Sequence, residues 1–334
     1  MNILLTGGCG YIGSHTAISL VNAGYDLILL DNFSNSETCV IDRIQKIAGK
    51  PIIFVEGDLR DSNLVSKTLK DNNIRGVIHF AGLKAVGESV KNPIDYFDNN
   101  VQCSISLLQA MIKNNIKKIV FSSSATVYGI PQYLPYDENH PTSAINPYGR
   151  TKLHIEEMLK DLANSDPEWT SIVLRYFNPV GAHKSGNLGE APKGIPSNLM
   201  PYLVQVASGY LGALNIFGSD YGTRDGTGER DYIHVTDLAE GHVAALQFMF
   251  REQGWHAINL GTGKSTSVLE LVHTFEKVTN KKIPLNLTSR RAGDLPAYFA
   301  KVSKAKNLLN WEAKLNLEDM CLSAWQSRKI SIHE

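Results

Sequence analysis

Residues 2–22 read Asn-Ile-Leu-Leu-Thr-Gly-Gly-Cys-Gly-Tyr-Ile-Gly-Ser-His-Thr-Ala-Ile-Ser-Leu-Val-Asn. An apolar run predicts a strand over Asn2 to Thr6, and the apolar spacing from Ile12 to Ala23 predicts a helix. Between them lie glycines at 7, 10 and 13. Glycine spacing alone fits a tight turn with no ligand. Strand, glycine turn and helix in sequence is the context a dinucleotide site requires, because backbone N–H groups and a helix N-terminus face a pyrophosphate only where no Cβ intervenes.

The next expected strand, Asp26 to Asp31, ends in Leu29-Leu30-Asp31. A carboxylate at a strand end there accepts hydrogen bonds from the adenosine ribose and repels a 2′-phosphate, which favours NAD over NADP. The alternative for Asp31 is a turn or cap residue. Asp58, in Glu56-Gly57-Asp58-Leu59, follows a third strand over Ile52 to Glu56 and stands where an adenine contact is expected.

Further strands are expected at Gly76 to Phe80, Lys118 to Ser122 and Ser171 to Arg175. Helical segments lie around Asn63 to Asn72, Tyr96 to Asn114 and Pro147 to Asn164. Asn146 is a plausible N-cap for the last, with Pro147 at its first position. This alternation predicts an α/β fold, a Rossmann-like doubly wound parallel sheet. The stretch His183 to Pro196 is broken by glycine and proline. We expect an NAD-binding domain over 1–177 and a smaller α/β domain over 178–334, with helices at Asp237 to Phe250 and Val268 to Thr279. A strand at Ala257 to Leu260 makes the boundary soft, since a segment near 235–263 can return to the first sheet.

At 334 residues the chain is long enough to bury a sizeable core, which excludes small stapled folds. Lys+Arg 33 balances Asp+Glu 33, leaving no global field for nucleic acid or an acidic membrane surface. Cys9, Cys39, Cys103 and Cys321 have no metal-site or disulfide-framework spacing, so no metal is expected and a reducing, cytoplasmic setting is the default. No signal peptide or membrane-spanning run is visible.

Tyr148-Gly149-Arg150-Thr151-Lys152 puts a phenol and an ammonium at i and i+4 on one helix face. In isolation that spacing fits a solvated face. Downstream of a dinucleotide loop and of Ser122-Ser123-Ser124, it becomes a candidate for proton transfer. A tyrosine pKa near 10 is too high for a base at neutral pH, so an adjacent ammonium and a positive nicotinamide ring would have to stabilise the phenolate. Ser124 would then hydrogen-bond the oxygen that alternates between alcohol and ketone.

Gly-x-x-Gly-x-x-Gly, Tyr-x-x-x-Lys and the upstream serine together resemble the extended short-chain dehydrogenase/reductase family. Longer stretches carry the resemblance: TGGCGYIGSH at 6–15, HFAGLKAVGES at 79–89, FSSSATVYG at 121–129, LRYFNPVGAH at 174–183, RDYIH at 230–234 and GDLPAY at 293–298. Cys9 and Ser197 depart from the common pattern without removing a chemical role.

The resemblance implies that Ser124, Tyr148 and Lys152 are catalytic. It implies NAD contacts at Gly7, Gly10, Tyr11, Ile12, Gly13, Asp31, Asn32, Asn35, Ser36, Asp58, Leu59, Phe80, Lys84, Asn99 and Phe177, besides the catalytic three. Substrate contacts are implied at Ser124, Tyr148, Asn178, Asn198, Leu199, Phe217, Arg230, Arg291, Asp294 and Tyr298, the arginines suiting a diphosphate. It further implies inversion at carbon 4 of the hexose in UDP-glucose and UDP-galactose, within galactose metabolism, by a homodimer built on the helices around Tyr96 to Asn114 and Pro147 to Asn164.

Other reactions remain open. Elimination needs an acid and a base at the strand end, and Ala125 and Thr126 after Ser124 cannot shuttle protons at neutral pH. Decarboxylation of a nucleotide sugar is less easily excluded by chemistry, and the overall motif match is what speaks against it. A non-catalytic NAD-sensing module would predict loss of Ser124, Tyr148 or Lys152, and all three are present.

Overall fold

The computed structural model describes residues 1–291 and 293–332, so Ala292 and the last two residues of the expected second domain lie outside the described residues. The main sheet contains β1 (Asn2–Thr6), β2 (Asp26–Asp31), β3 (Ile53–Glu56), β4 (Gly76–His79), β5 (Lys118–Ser124), β6 (Thr170–Tyr176) and β7 (Gly254–Leu260). Their order is β7-β6-β5-β4-β1-β2-β3, and every neighbouring pair is parallel. Chain order reverses between β1 and β4, opening a crevice at the carboxyl ends of the strands where ligands bind in such sheets.

Both faces of the sheet are buried, which is why its strands are apolar runs. Ile3, Leu5, Leu27 and Leu29 pack toward helices Tyr11–Asn22, Cys39–Ala48 and Val235–Met249. Leu4, Ile28 and Leu30 pack toward Ser62–Asp71, Cys103–Lys113 and Pro147–Ser165. Asn146 does cap the last helix, accepting from the Gly149 N–H at 2.8 Å. A separate core gathers Met200, Leu203, Val204, Leu271, Phe275 and Cys321 beneath helices Leu199–Ala207, Val268–Thr279 and Leu317–Gln326.

Several features differ from the expected elements. Cys39–Ala48, Leu199–Ala207 and Leu317–Gln326 are helices that the expectations omit. The expected helix around Tyr96 to Asn114 opens into a π-helical turn over Phe97–Gln102 before Cys103–Lys113. The turn places Asn100 so that its side chain accepts from Leu83 N at 2.7 Å and donates to Leu83 O at 3.0 Å and to Thr151 Oγ1 at 3.0 Å. That exchange ties the loop after β4 to the helix carrying Tyr148. Finally β5 runs two residues past Ser122, so Ser123 and Ser124 belong to the strand and alternate between its faces.

Candidate active site

The glycine loop has the shape a pyrophosphate needs. Gly7 sits at φ +67°, and a Cβ there would lie 2.7 Å from Ala81 N; one at Gly13 would lie 2.4 Å from Gly7 O. Gly10 caps the helix without a side-chain hydrogen bond, and its first turn holds no acid, so positive dipole faces the crevice. Among the described residues this cradle fits a dinucleotide. Tyr11 turns its hydroxyl away to donate to Gly181 O at 2.7 Å, pinning the loop to the far segment, and Ile12 packs against the core.

Asp31 is buried and positioned by its own loop: Oδ2 accepts from Cys9 N at 3.0 Å, and Oδ1 from Phe33 N and the Ser36 hydroxyl, both at 2.9 Å. Asn32 donates to Asp58 at 3.0 Å, while Asn35 is exposed beside it. The Arg60 guanidinium, forked onto Asp58, holds that carboxyl down at about 2 despite partial burial. Leu59 is a core residue at 3% exposure, so its backbone is what the crevice sees. Phe80 packs against His242 with tilted rings 4.8 Å apart, and Asn99 lies half-buried in the π-helical turn.

Lys152 is 4% exposed, and its Nζ donates to Ser122 O at 2.7 Å while lying 5.9 Å from the centre of the Tyr148 ring. Burial pulls its pKa down to about 8, against the opposing charge of Glu156. Burial also pushes the Tyr148 phenol up to about 12, and the Ser124 hydroxyl acts in the opposite direction. The expectation calls on both the ammonium and a positive nicotinamide ring to lower the phenol; in the protein alone burial raises it and Ser124 opposes that rise. Ser124 Oγ is itself oriented by donations from Thr126 N at 3.2 Å and the Thr126 hydroxyl at 3.0 Å.

Of the residues expected on the substrate side, Arg230, Arg291, Asp294, Phe217 and Tyr298 come together in ring contacts and ion pairs, and the Tyr298 ring centre is 6.2 Å from that of Phe177. Arg230 stacks on Tyr298 at 4.5 Å and Arg291 on Phe217 at 4.7 Å. Asp294 receives Arg291 Nε at 2.9 Å and lies 4.0 Å from Arg230, so one carboxylate orients both guanidinia. Asn178 Oδ1 is buried and has no hydrogen-bond partner among the described residues, the state of a side chain awaiting a donor. Asn198 donates to Glu190 at 2.7 Å, and Lys84 donates to the same Glu190 oxygen at 2.9 Å; Leu199 opens the following helix.

Glu190 and Asn100 were missed in sequence because their partners are distant along the chain. Glu156, in contact with this site from behind, did leave a signal: it repeats the four-residue spacing of Tyr148 and Lys152.

The family model described as "NAD dependent epimerase/dehydratase family" matches residues 3–261. The UDP-glucose 4-epimerase of Bacillus subtilis (strain 168) is 54% identical over 333 residues, covering 100% of this chain and 98% of that protein. The crystal structure of a UDP-glucose 4-epimerase from Stenotrophomonas maltophila, with bound NAD and formylated UDP-arabinopyranose, superposes with a TM-score of 0.98 at 47% identity, covering 100% of this chain and 99% of that one. That of the Bifidobacterium longum UDP-glucose 4-epimerase, in complex with NAD+ and UDP, gives 0.95 at 51% identity, with 98% of each chain covered.

Proposed function

The chain belongs to the NAD dependent epimerase/dehydratase family, and we propose that it interconverts UDP-galactose and UDP-glucose by inverting carbon 4 of the hexose. The observation that carries this reading is Ser124, Tyr148 and Lys152 assembled at the end of β5, in the crevice that the glycine loop also faces. NAD, which residues 1–177 would hold, would supply reversible hydride acceptance at carbon 4 of the sugar. The cradle at Gly7, Gly10 and Gly13 would hold its pyrophosphate, and Asp31 its adenosine ribose.

Tyr148 takes the proton of the 4-hydroxyl and later returns one. Ser124 donates to the same sugar oxygen as charge develops on it. Lys152 supplies positive charge beside the phenol and would hold the nicotinamide ribose. Residues 178–334 hold the UDP: Arg230 and Arg291 take the diphosphate, each already stacked and steered by Asp294, so little ordering is left to complete on binding. Firm grip on the UDP with looser grip on the hexose lets either face of the ring reach the same Tyr148.

The surrounding biology follows from the same reading: galactose metabolism in the cytoplasm, by a homodimer packed through the helices around Tyr96 to Asn114 and Pro147 to Asn164. Among the described residues no helix is long and apolar enough to cross a membrane. The test is to supply UDP-galactose without external NAD and assay UDP-glucose. Conversion is expected; a purified, NAD-loaded protein that leaves UDP-galactose unchanged would refute the proposal.

A further inference from the structure

Tyr148, Lys152 and Glu156 recur every four residues along Pro147–Ser165 and so share one face. The three serines of β5 answer them. Ser124 acts on the Tyr148 phenol, the Ser122 carbonyl accepts Lys152 Nζ, and the Ser123 hydroxyl donates to the Glu156 carboxylate. Arg175 on β6 is the cross-strand partner of Ser123. Its Nε donates to the two Glu156 oxygens at 3.1 and 3.2 Å, and its Nη2 to Oε2 at 2.6 Å. Glu156 and Arg175 are 1% and 3% exposed. Nη1 of Arg175 reaches the Tyr128 hydroxyl at 3.1 Å, and Tyr128 donates to Asn259 Oδ1 on β7 at 2.6 Å.

Resting on the proposed reaction, we infer that Glu156, gripped by Arg175, is a positioning residue for Tyr148 and Lys152: it locks their helix to the serine strand and supplies the negative charge facing the Lys152 ammonium. A buried ion pair contributes little net stability over an apolar pair of the same shape, so stability alone does not account for it. Lys152 is faced by Tyr148 and Glu156 from its own helix, by the Phe121 ring at 4.9 Å and the Ser122 carbonyl from β5, by His79 from β4, and by Arg175 and Tyr176 from β6 through Glu156 and Tyr148. Burial holds His79 neutral, with a pKa of about 3, and pushes the Tyr176 phenol upward. Among these described groups, Glu156 is the anion.

The inference separates charge from placement. Glu156→Gln keeps the shape and removes the charge. Both limbs of the kcat–pH profile then move toward acid, because losing a negative charge lowers the proton affinity of Lys152 and Tyr148 alike. kcat falls several-fold at neutral pH and above, while KM for UDP-galactose stays within about twofold, since no substrate contact is touched. Glu156→Asp keeps the charge but retracts it by one methylene, so its profile stays in place while kcat falls. The double variant Glu156→Gln/Arg175→Met removes both members of the pair; should the single Gln variant not fold, a smaller displacement in the same acid direction is expected in the double, because Glu156 and not Arg175 is the charge that acts on Lys152. NMR titration of isotope-labelled lysine reads Lys152 without turnover, so failure of the reaction itself is distinguishable from failure of this inference. A folded, NAD-loaded Gln or double variant with the unmutated pH profile and Lys152 titration would overturn it, as would an Asp variant with unmutated kcat.

Discussion

In the proposed reaction Tyr148 is the residue on which the chemistry turns, and its surroundings oppose it. Burial holds the phenol near 12 in the protein alone, so proton abstraction at neutral pH depends on the positive charges assembled around it. Tyr148→Phe keeps the ring and loses the oxygen; we expect retained NAD and a fall in kcat of about 10²- to 10⁴-fold, and comparable activity at saturating substrate would remove Tyr148 from the mechanism. Tyr298 sets a second expectation. The resemblance implies that it would lie beside carbon 2 of the sugar, and Arg230 stacks on its ring at 4.5 Å. An acetamido group would have to share its volume, at a cost of about 1 to 3 kcal/mol, or roughly tenfold discrimination or more. UDP-glucose and UDP-galactose should therefore be preferred over their N-acetylamino analogues, with Tyr298→Ser relaxing the preference. Equal kcat/KM for the two substrate pairs in the unmutated protein would contradict it.

Elements carry the cofactor site, and here the sequence was most legible. Gly7, Gly10 and Gly13 act through backbone closeness between adjacent elements, a local pattern that spacing reveals. Gly13→Ala would drive a Cβ to 2.4 Å from Gly7 O, forcing the helix off the strand; we expect the purified protein to lose bound NAD, and NAD content equal to the unmutated protein would argue that the loop does not hold it. Asp31→Asn removes the charge and keeps an amide oxygen to accept from the Phe33 and Ser36 donors, at the loss of the hydrogen bond from Cys9 N. Discrimination against NADP should fall, and unchanged preference on reconstitution would show that Asp31 does not read the ribose. What sequence did not disclose at this scale is tertiary. Leu59 stands in a cofactor motif, yet its side chain belongs to the core. The π-helical turn at Phe97–Gln102 exists to aim Asn100 at the loop after β4, and helical periodicity cannot register it. Glu190 pairs with Lys84 across 106 residues of chain, a pairing no local window contains.

For the whole molecule, buried histidines link folding to pH. His15 and His79 are pulled to about 3, and His234 and His242 to about 4, in each case chiefly by burial. Unfolding returns them to about 6.5, so the unfolded state binds more protons below that pH. Their contribution is fully present above pH 6.5 and is lost as pH falls toward 4 and then 3. Calorimetry should show Tm declining steadily from pH 7 to pH 4; a flat Tm would contradict neutral burial of these rings. The sheet, its crevice and the assembled Ser124, Tyr148 and Lys152 together make one claim, that hydride leaves carbon 4 and returns to it without meeting solvent. UDP-galactose carrying deuterium at carbon 4, incubated with the protein and no added NAD, tests it directly: UDP-glucose retaining deuterium at carbon 4 is the expected product, and UDP-glucose with that position exchanged for solvent hydrogen would contradict the account.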